Sequence, residues 1–315
     1  MALWGKSLES RYLLQARGLL CDARKGMSGN PFALDDASAY GRWRDRKLTD
    51  KPKALTDLVV EVGDMAALSP AEHAALGDRL RRANMVIYAE TKPVPGRDDK
   101  QALAALGRAF GLVSLDRNHL ADDDGITPLA VAADGPRSRY IPYTERPIAW
   151  HTDGYYNRPQ ARVRGLILHC VRPAAAGGEN RLMDPELLYI ALRERDPALI
   201  AALNRPDAMT IPGNEDEGMT RPAMTGPVFF VEDGRLGMRY TARTRSVEWH
   251  PEAAAAAQVI RDILESGAEL FTGLLQPGWG LLCNNVLHTR ERFTDDPAQP
   301  RLLYRARYHD AISGV

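Results

Sequence analysis

Trp150-His151-Thr152-Asp153, with Asn284-Asn285-Val286-Leu287-His288 far downstream, is the pair of stretches on which the reading of this chain turns. Two imidazoles and one carboxylate are what a mononuclear iron(II) site needs if it is to keep coordination positions open for other ligands. Ile148-Ala149-Trp150 leads into the first stretch as a short apolar strand. On a strand, residues i and i+2 share a face, so His151 and Asp153 are expected to grip one ion together. His288 follows a second Gly-bounded apolar run, Gly280-Leu281-Leu282-Cys283, and is the candidate third ligand. A His-x-Asp alone carries little information in a chain with seven histidines. The plainer reading makes His151 a hydrogen-bonded surface residue and His288 a loop residue.

What strengthens the metal reading lies just beyond it. Along Arg301-Leu302-Leu303-Tyr304-Arg305-Ala306-Arg307-Tyr308, strand alternation places Arg301, Leu303, Arg305 and Arg307 on one face. Guanidiniums buried together without partners are costly, so that face is either wet or meets carboxylates. Arginine suits the second role, because its planar fork takes a carboxylate through two hydrogen bonds. Arg239, Arg243 and Arg245 show the same parity in an earlier segment and are candidates for an anionic substrate or for a solvated face. Metal ligands followed by an anion clamp suggest a metal enzyme with an acidic co-substrate. The open positions would suit a bidentate organic acid and dioxygen, which favours iron over zinc.

Of the remaining histidines, His169 alternates with Leu168 and Cys170 and reads as a core residue or a pocket residue. His73 reads as a helix-face residue. His119, His250 and His309 have no partner pattern, apart from an ion pair open to His309-Asp310.

Bulk properties exclude several classes. The 315 residues allow one large domain or two modest ones. Lys+Arg and Asp+Glu balance at 41 each, which argues against nucleic acid or an anionic membrane as partner. No apolar run approaches the roughly 20 residues that span a bilayer, and the N-terminus lacks the apolar core of a signal peptide. Cys21, Cys170 and Cys283 are odd in number and widely spaced, with no CxxC; free thiols in a reducing cytoplasm are the simplest reading.

The first 54 residues read as a polar, irregular N-terminal arm wrapping the body, and residues 55–315 as a single catalytic domain with a helical insert around 185–265. Leu58 to Val62 and Met85 to Tyr88 read as strands. Ser69-Pro70-Ala71-Glu72 is a helix start, with Ser as N-cap, Pro in the first turn and Glu three residues on. A second helix runs from about Asp99 to Phe110 and stops at Gly111. Asp122-Asp123-Asp124-Gly125 is a loop; the glutamate a calcium loop requires is missing. Val163 to Val171 is a strand. Pro185 to Glu194, Pro197 to Leu203 and Pro251 to Glu265 are helical. Val228 to Val231 and Arg235 to Arg245 form a hairpin around Asp233-Gly234, a strong turn signal. Many short strands split by Gly and Pro, with helices outside, give an α+β chain with a mainly β core, a jelly roll of the cupin type.

At this point the chain resembles the taurine dioxygenase-like (clavaminate synthase-like) branch of the iron(II)/2-oxoglutarate-dependent oxygenases. The resemblance is carried by Trp150-His151-Thr152-Asp153, Arg172-Pro173 with Gly177-Gly178, Asn285 before His288, and Arg301 with Arg305. The helix end Leu106-Gly107-Arg108-Ala109-Phe110-Gly111 also looks like the family's. The similarity covers roughly Leu55 to Tyr308. It implies a double-stranded β-helix, iron held by His151, Asp153 and His288, and the distal carboxylate of 2-oxoglutarate on Arg301. Arg305 would lie near the co-substrate's other end or reach the substrate's anionic group. The family usually places a threonine just after the paired glycines; here Asn180 stands there, and its amide can still donate to that carboxylate.

The partners expected are therefore dioxygen and a small polar substrate, oxidised with release of succinate and carbon dioxide. Assembly into a homo-oligomer stays open. Tyr155 and Tyr156, just past the metal pair, line the pocket mouth or merely pack. With Arg239, Arg243 and Arg305 they suggest a substrate carrying a carboxylate, sulfonate or phosphonate. An aromatic cage for a quaternary ammonium is the weaker option. The competing class is a metal-binding jelly-roll protein without oxygenase activity, such as a zinc hydrolase or a small-ligand sensor.

Overall fold

The computed structural model describes residues 29–117, 121–216 and 219–315; Cys21, His119 and the first half of the expected arm lie outside them. The chain separates after Thr49 into two compact units. The described part of the first is mostly helix α1 (Ala37–Asp50), where the sequence suggested irregular chain. Its buried residues, Ala39, Tyr40, Trp43 and Lys47, recur at helical spacing, but the stripe is narrow and ends in a lysine, so the periodicity is faint. Phe32 meets Trp43 edge-on at 5.1 Å.

The second unit is α+β. Ten of its strands make two sheets: β1 (Val59–Val62), β2 (Met85–Glu90), β3 (Thr127–Leu129), β4 (Ile148–His151), β5 (Gly165–Arg172), β6 (Asn180–Met183), β7 (Phe271–Gly273), β8 (Trp279–Cys283), β9 (Leu287–Arg290) and β10 (Leu302–Tyr308). The larger sheet has the order β1-β2-β8-β5-β10-β3, and the smaller β7-β6-β9-β4. Only the β1–β2 pairing is parallel within these two sheets.

Alternation along the larger sheet sorts its side chains into two cores. One face carries Val86, Tyr88, Ile167, Leu282, Ala306 and Tyr308, packed with residues of α2 (Pro70–Ala83) and α3 (Asp99–Ala109). The other carries Ile87, Leu166, Leu168, Cys170, Leu281 and Leu303, packed with Leu182 and Phe271 of the smaller sheet. Arg305 and Arg307 share the parity of Leu303, so they point to the side on which the smaller sheet lies.

Local chemistry explains the helix starts. Ser69 and Glu72 form the expected capping box ahead of α2. Asp184, Asp196 and His250 cap α4 (Pro185–Arg195), α5 (Pro197–Leu203) and α6 (Pro251–Ser266), each followed by a first-turn proline. The segment read as a helical insert is mixed: between α5 and α6 lie a three-stranded sheet and two two-stranded ribbons. One ribbon is the expected hairpin, with Asp233 and Gly234 both at positive φ. Its second strand ends at Met238, short of the expected Arg245. Beyond it the chain turns to bond the 150–152 segment, through Thr152 N–H to Tyr240 O at 3.0 Å and Ala242 N–H to Trp150 O at 2.8 Å. No helix among the described residues is long and apolar enough to cross a membrane.

Candidate active site

His151 and His288 are direct register partners on the adjacent antiparallel strands β4 and β9, with ring centroids 4.2 Å apart. The Nδ1 of His151 lies 2.9 Å from Ala149 O, and that of His288 lies 3.0 Å from Val286 O. A carbonyl only accepts, so each Nδ1 donates its proton there, and Nε2 is the ring atom available to a metal. His151 is the last residue of β4, and Asp153 lies in the turn after it rather than on the strand. The expected i, i+2 geometry is thus replaced by a strand end and a turn, because Thr152 is pulled onto Tyr240 by two hydrogen bonds. Gly154 makes the turn possible at φ +64; a Cβ there would fall 2.6 Å from Val163 Cγ2. The outcome is still convergence. Donor atoms of His151, Asp153 and His288 lie within 4.8 Å of one another.

The protonation states suit a divalent cation. Burial, then the neighbouring His288, pushes His151 down to about 3, so the imidazole is neutral. Burial opposes ionisation of Asp153, yet Arg305 and then Arg307 hold its carboxyl below the usual range. Asp153 Oδ1 accepts from Arg305 Nη1 at 3.3 Å. Its Oδ2 is buried with no hydrogen-bond partner among the described residues. A buried, ionised, half-satisfied carboxylate beside two imidazole Nε2 atoms is a donor set of the kind that suits a metal ion.

The arginine face of β10 is divided among three tasks. Arg301, just before the strand, is 5 % exposed, and its guanidinium lies 4.9 Å from the Phe293 ring centroid. It has no carboxylate within ion-pair distance among the described residues, and burial pushes its pKa down. A buried cation in that state is costly until an anion meets it. Arg305 contacts Asp153. Arg307 donates to Tyr156 Oη at 3.1 Å and pairs with Asp116 at 2.6 Å. Arg290, which the sequence reading passed over, faces Phe293 from 4.8 Å and donates to the carbonyls of Pro142, Ile141, Thr144 and Arg146. Its parity with His288 on β9 was the available signal.

The other expected residues scatter. Asn180 heads β6 and donates one amide hydrogen to Thr289 O at 2.8 Å, so at most one donor is left for a co-substrate. Tyr155 and Tyr156 meet edge-on at 5.2 Å, and Arg221 lies 5.5 Å from the Tyr156 ring centroid. Arg239 directs four N–H groups at the carbonyls of Pro227, Met224, Met209 and Gly226. It braces the backbone there. Arg243 and Arg245 are exposed, and the shared strand parity expected of the three is absent, because the strand ends before them. His169 is a core residue, 3.0 Å from Tyr88 Oη. His73 stacks on Phe110, and His250 caps α6. His309 lies 4.0 Å from Asp116, whereas Asp310 accepts from the Val113 and Ser114 N–H groups. Cys170 and Cys283 are free and buried.

Residues 45–307 match the family described as taurine catabolism dioxygenase TauD, TfdA family. A uridine-5′-phosphate dioxygenase of a Streptomyces species is 32% identical over 207 residues, covering 60% of this chain and 72% of that protein. One from an Amycolatopsis species is 32% identical over 175 residues, covering 51% and 61%. Among solved structures, asparagine oxygenase in complex with Fe(II), hydroxyasparagine and succinate superposes with a TM-score of 0.58 at 14% identity, over 78% of this chain and 81% of that one. The non-heme iron oxygenase OrfP in complex with Fe and alpha-ketoglutaric acid gives 0.54 at 17% identity, over 78% and 86%. At those identities the structural likeness speaks for the fold.

Proposed function

Since the chain belongs to the TauD/TfdA dioxygenase family, and is thus an oxidoreductase that uses iron(II) and 2-oxoglutarate, we propose that His151, Asp153 and His288 hold its iron and that its substrate is a nucleoside 5′-phosphate, uridine-5′-phosphate first among them. Family membership displaces the zinc-hydrolase and sensor readings. The two sheets are read as the double-stranded β-helix of the family, and residues 55–315 as the catalytic body. When bound, iron and 2-oxoglutarate activate dioxygen and oxidise a substrate C–H bond, with succinate and carbon dioxide released.

The chain's own residues prepare that chemistry. His151 and His288 present their Nε2 atoms, and Asp153 presents an ionised carboxylate. Arg301 takes the distal carboxylate of the co-substrate, with the second amide hydrogen of Asn180 available beside it. The observation that carries the substrate class is charge. Among the described residues, Arg305 pairs with Asp153 and Arg307 with Asp116, while Arg301 and Arg290 are buried with no carboxylate in ion-pair distance. A divalent iron and a dianionic co-substrate cancel one another. The pocket then keeps a net positive charge, which an anionic substrate neutralises. Arg305, with its Nε buried and unpartnered among the described residues, offers a donor beside Asp153. Tyr155 and Tyr156 offer aromatic faces against which a base stacks. The curated relatives' names supply uridine-5′-phosphate as the member of this class to try first.

The test is succinate release under air with iron(II), 2-oxoglutarate and either uridine-5′-phosphate, uridine or a panel of amino acids. Turnover with the phosphate and little with uridine is expected. Equal turnover of uridine, or activity confined to an amino acid, would refute the substrate class.

A further inference from the structure

Asn285 commits its entire amide to the backbone around the metal-binding turn. Its Oδ1 accepts the Asp153 N–H at 2.8 Å, and its Nδ2 donates to the carbonyls of Asp153 at 2.9 Å and Val163 at 2.7 Å. The side chain is buried and the backbone left-handed at φ +48. Asparagine tolerates that conformation better than most residues and carries both an acceptor and two donors.

The residue is also anchored from behind. The Asn284 N–H donates to Asn84 O at 2.8 Å, its Nδ2 to Asn84 Oδ1 at 3.2 Å, and its Oδ1 accepts the Ile312 N–H at 3.2 Å. Asn84, itself left-handed at the C-terminal cap of α2, donates onward to Asp184 Oδ1 at 3.0 Å. Asp184 is the N-cap of α4. A chain of polar side chains thus runs from two helix ends to the turn between β8 and β9, and from there to Asp153. His288 begins three residues after Asn285, so one side chain ties the segment holding Asp153 to the strand holding the distal histidine.

We propose that Asn285 is the positioning residue that sets the site's affinity for its divalent metal, by holding Asp153 at a fixed distance from His288. The inference rests on the reading of His151, Asp153 and His288 as ligands. Asp153 lies outside any strand ladder, so nothing in β4 fixes its carboxylate. The Asn285 amide supplies the rigidity that strand pairing gives to the two histidines.

The test is anaerobic titration of the full chain with Mn(II), together with the visible d–d spectrum of the Co(II) form. Asn285→Gly keeps the left-handed backbone and removes the amide. Asn285→Asp keeps the acceptor for the Asp153 N–H and loses both donors. We expect Asn285→Gly to weaken Mn(II) binding by roughly 10- to 100-fold and to shift the Co(II) bands, with Asn285→Asp falling between it and the parent chain. Thermal unfolding of each metal-free variant gives the folded fraction. Parent-like affinity in folded Asn285→Gly overturns the inference, and so does a loss that merely tracks the folded fraction. If Asn285→Gly does not fold, Asn285→Asp decides: weakened metal binding in its folded protein supports the role, and parent-like affinity and spectrum overturn it. Failure of the ligand reading looks different: the parent chain would not bind Mn(II), or His288→Ala would bind it equally well.

Discussion

Arg305 Nη1 and Asp153 Oδ1 are joined by a single hydrogen bond at 3.3 Å, which occupies one carboxylate oxygen and leaves the other buried without a partner among the described residues. Iron(II) or Mn(II) should satisfy that oxygen and stabilise the fold by mass action, by about 2.7 kcal/mol at a hundredfold excess over Kd. The midpoint of thermal unfolding should rise by several degrees on adding metal and fall back with a chelator. Asp153→Ala should be indifferent to both. A parent chain whose midpoint ignores metal would remove the centre from consideration.

Arg301 separates co-substrate binding from metal binding. Its guanidinium is buried against Phe293 with no carboxylate partner among the described residues, so Arg301→Ala removes the charge proposed to meet the co-substrate and leaves His151, Asp153 and His288 untouched. Loss of one partner of a buried charge pair costs about 2–5 kcal/mol, so 2-oxoglutarate should bind at least roughly 30-fold more weakly. Anaerobic titration of the iron(II) form, followed by its weak visible charge-transfer band, measures this. Unchanged affinity for 2-oxoglutarate would remove the clamp assignment.

Gly154 tests whether the turn is built for the site. At φ +64, with Val163 Cγ2 in the way of a Cβ, Gly154→Ala should cost about 1–3 kcal/mol of stability. It should also displace Asp153, so metal affinity is expected to fall in the folded variant. Denaturant midpoints and Mn(II) titration, run together, report the two effects separately.

Glu72 gives a pH signature far from the metal. The Gly63 N–H at 2.6 Å, then the Ser69 N–H and hydroxyl at 2.7 Å, hold its carboxyl below the ordinary value of 4.5. A depressed folded pKa means stability that is fully present above the unfolded value and is lost as pH falls through the folded one. Urea midpoints measured from about pH 6 down to about pH 3 should fall for the parent chain. Glu72→Gln should start lower and show a shallower fall. Parallel curves would show that the capping box contributes no proton linkage.

Much of this protein is written in short-range chemistry. Ser69 with Glu72, Asp184 with Pro185, and Asp233 with Gly234 each declare a helix start or a turn, because the groups they satisfy lie within four residues. Alternation in β10 places Arg305 and Arg307 on the face of Leu303 for the same reason: the period belongs to the strand itself. His151, Asp153 and His288, whose donor atoms converge, were legible as types in a spacing. Helix α1 was not, since its buried stripe is thin and partly polar.

What residue type cannot state is which partner an arginine or an asparagine meets. Arg301, buried with no carboxylate partner among the described residues, and Arg239, whose N–H groups are taken by four carbonyls, look alike as letters in strand-like sequence. Only the packed chain separates a buried guanidinium without a carboxylate from a backbone brace. Asp153 was expected on a strand and lies in a turn; it meets His151 because Thr152 is drawn to Tyr240 and because Asn285 grips the backbone from across the fold. Caps, turns and alternation are satisfied by near neighbours and so are carried by sequence alone. Ligand convergence and the assignment of buried charges depend on groups distant along the chain, and those meet only when the sheets close around them.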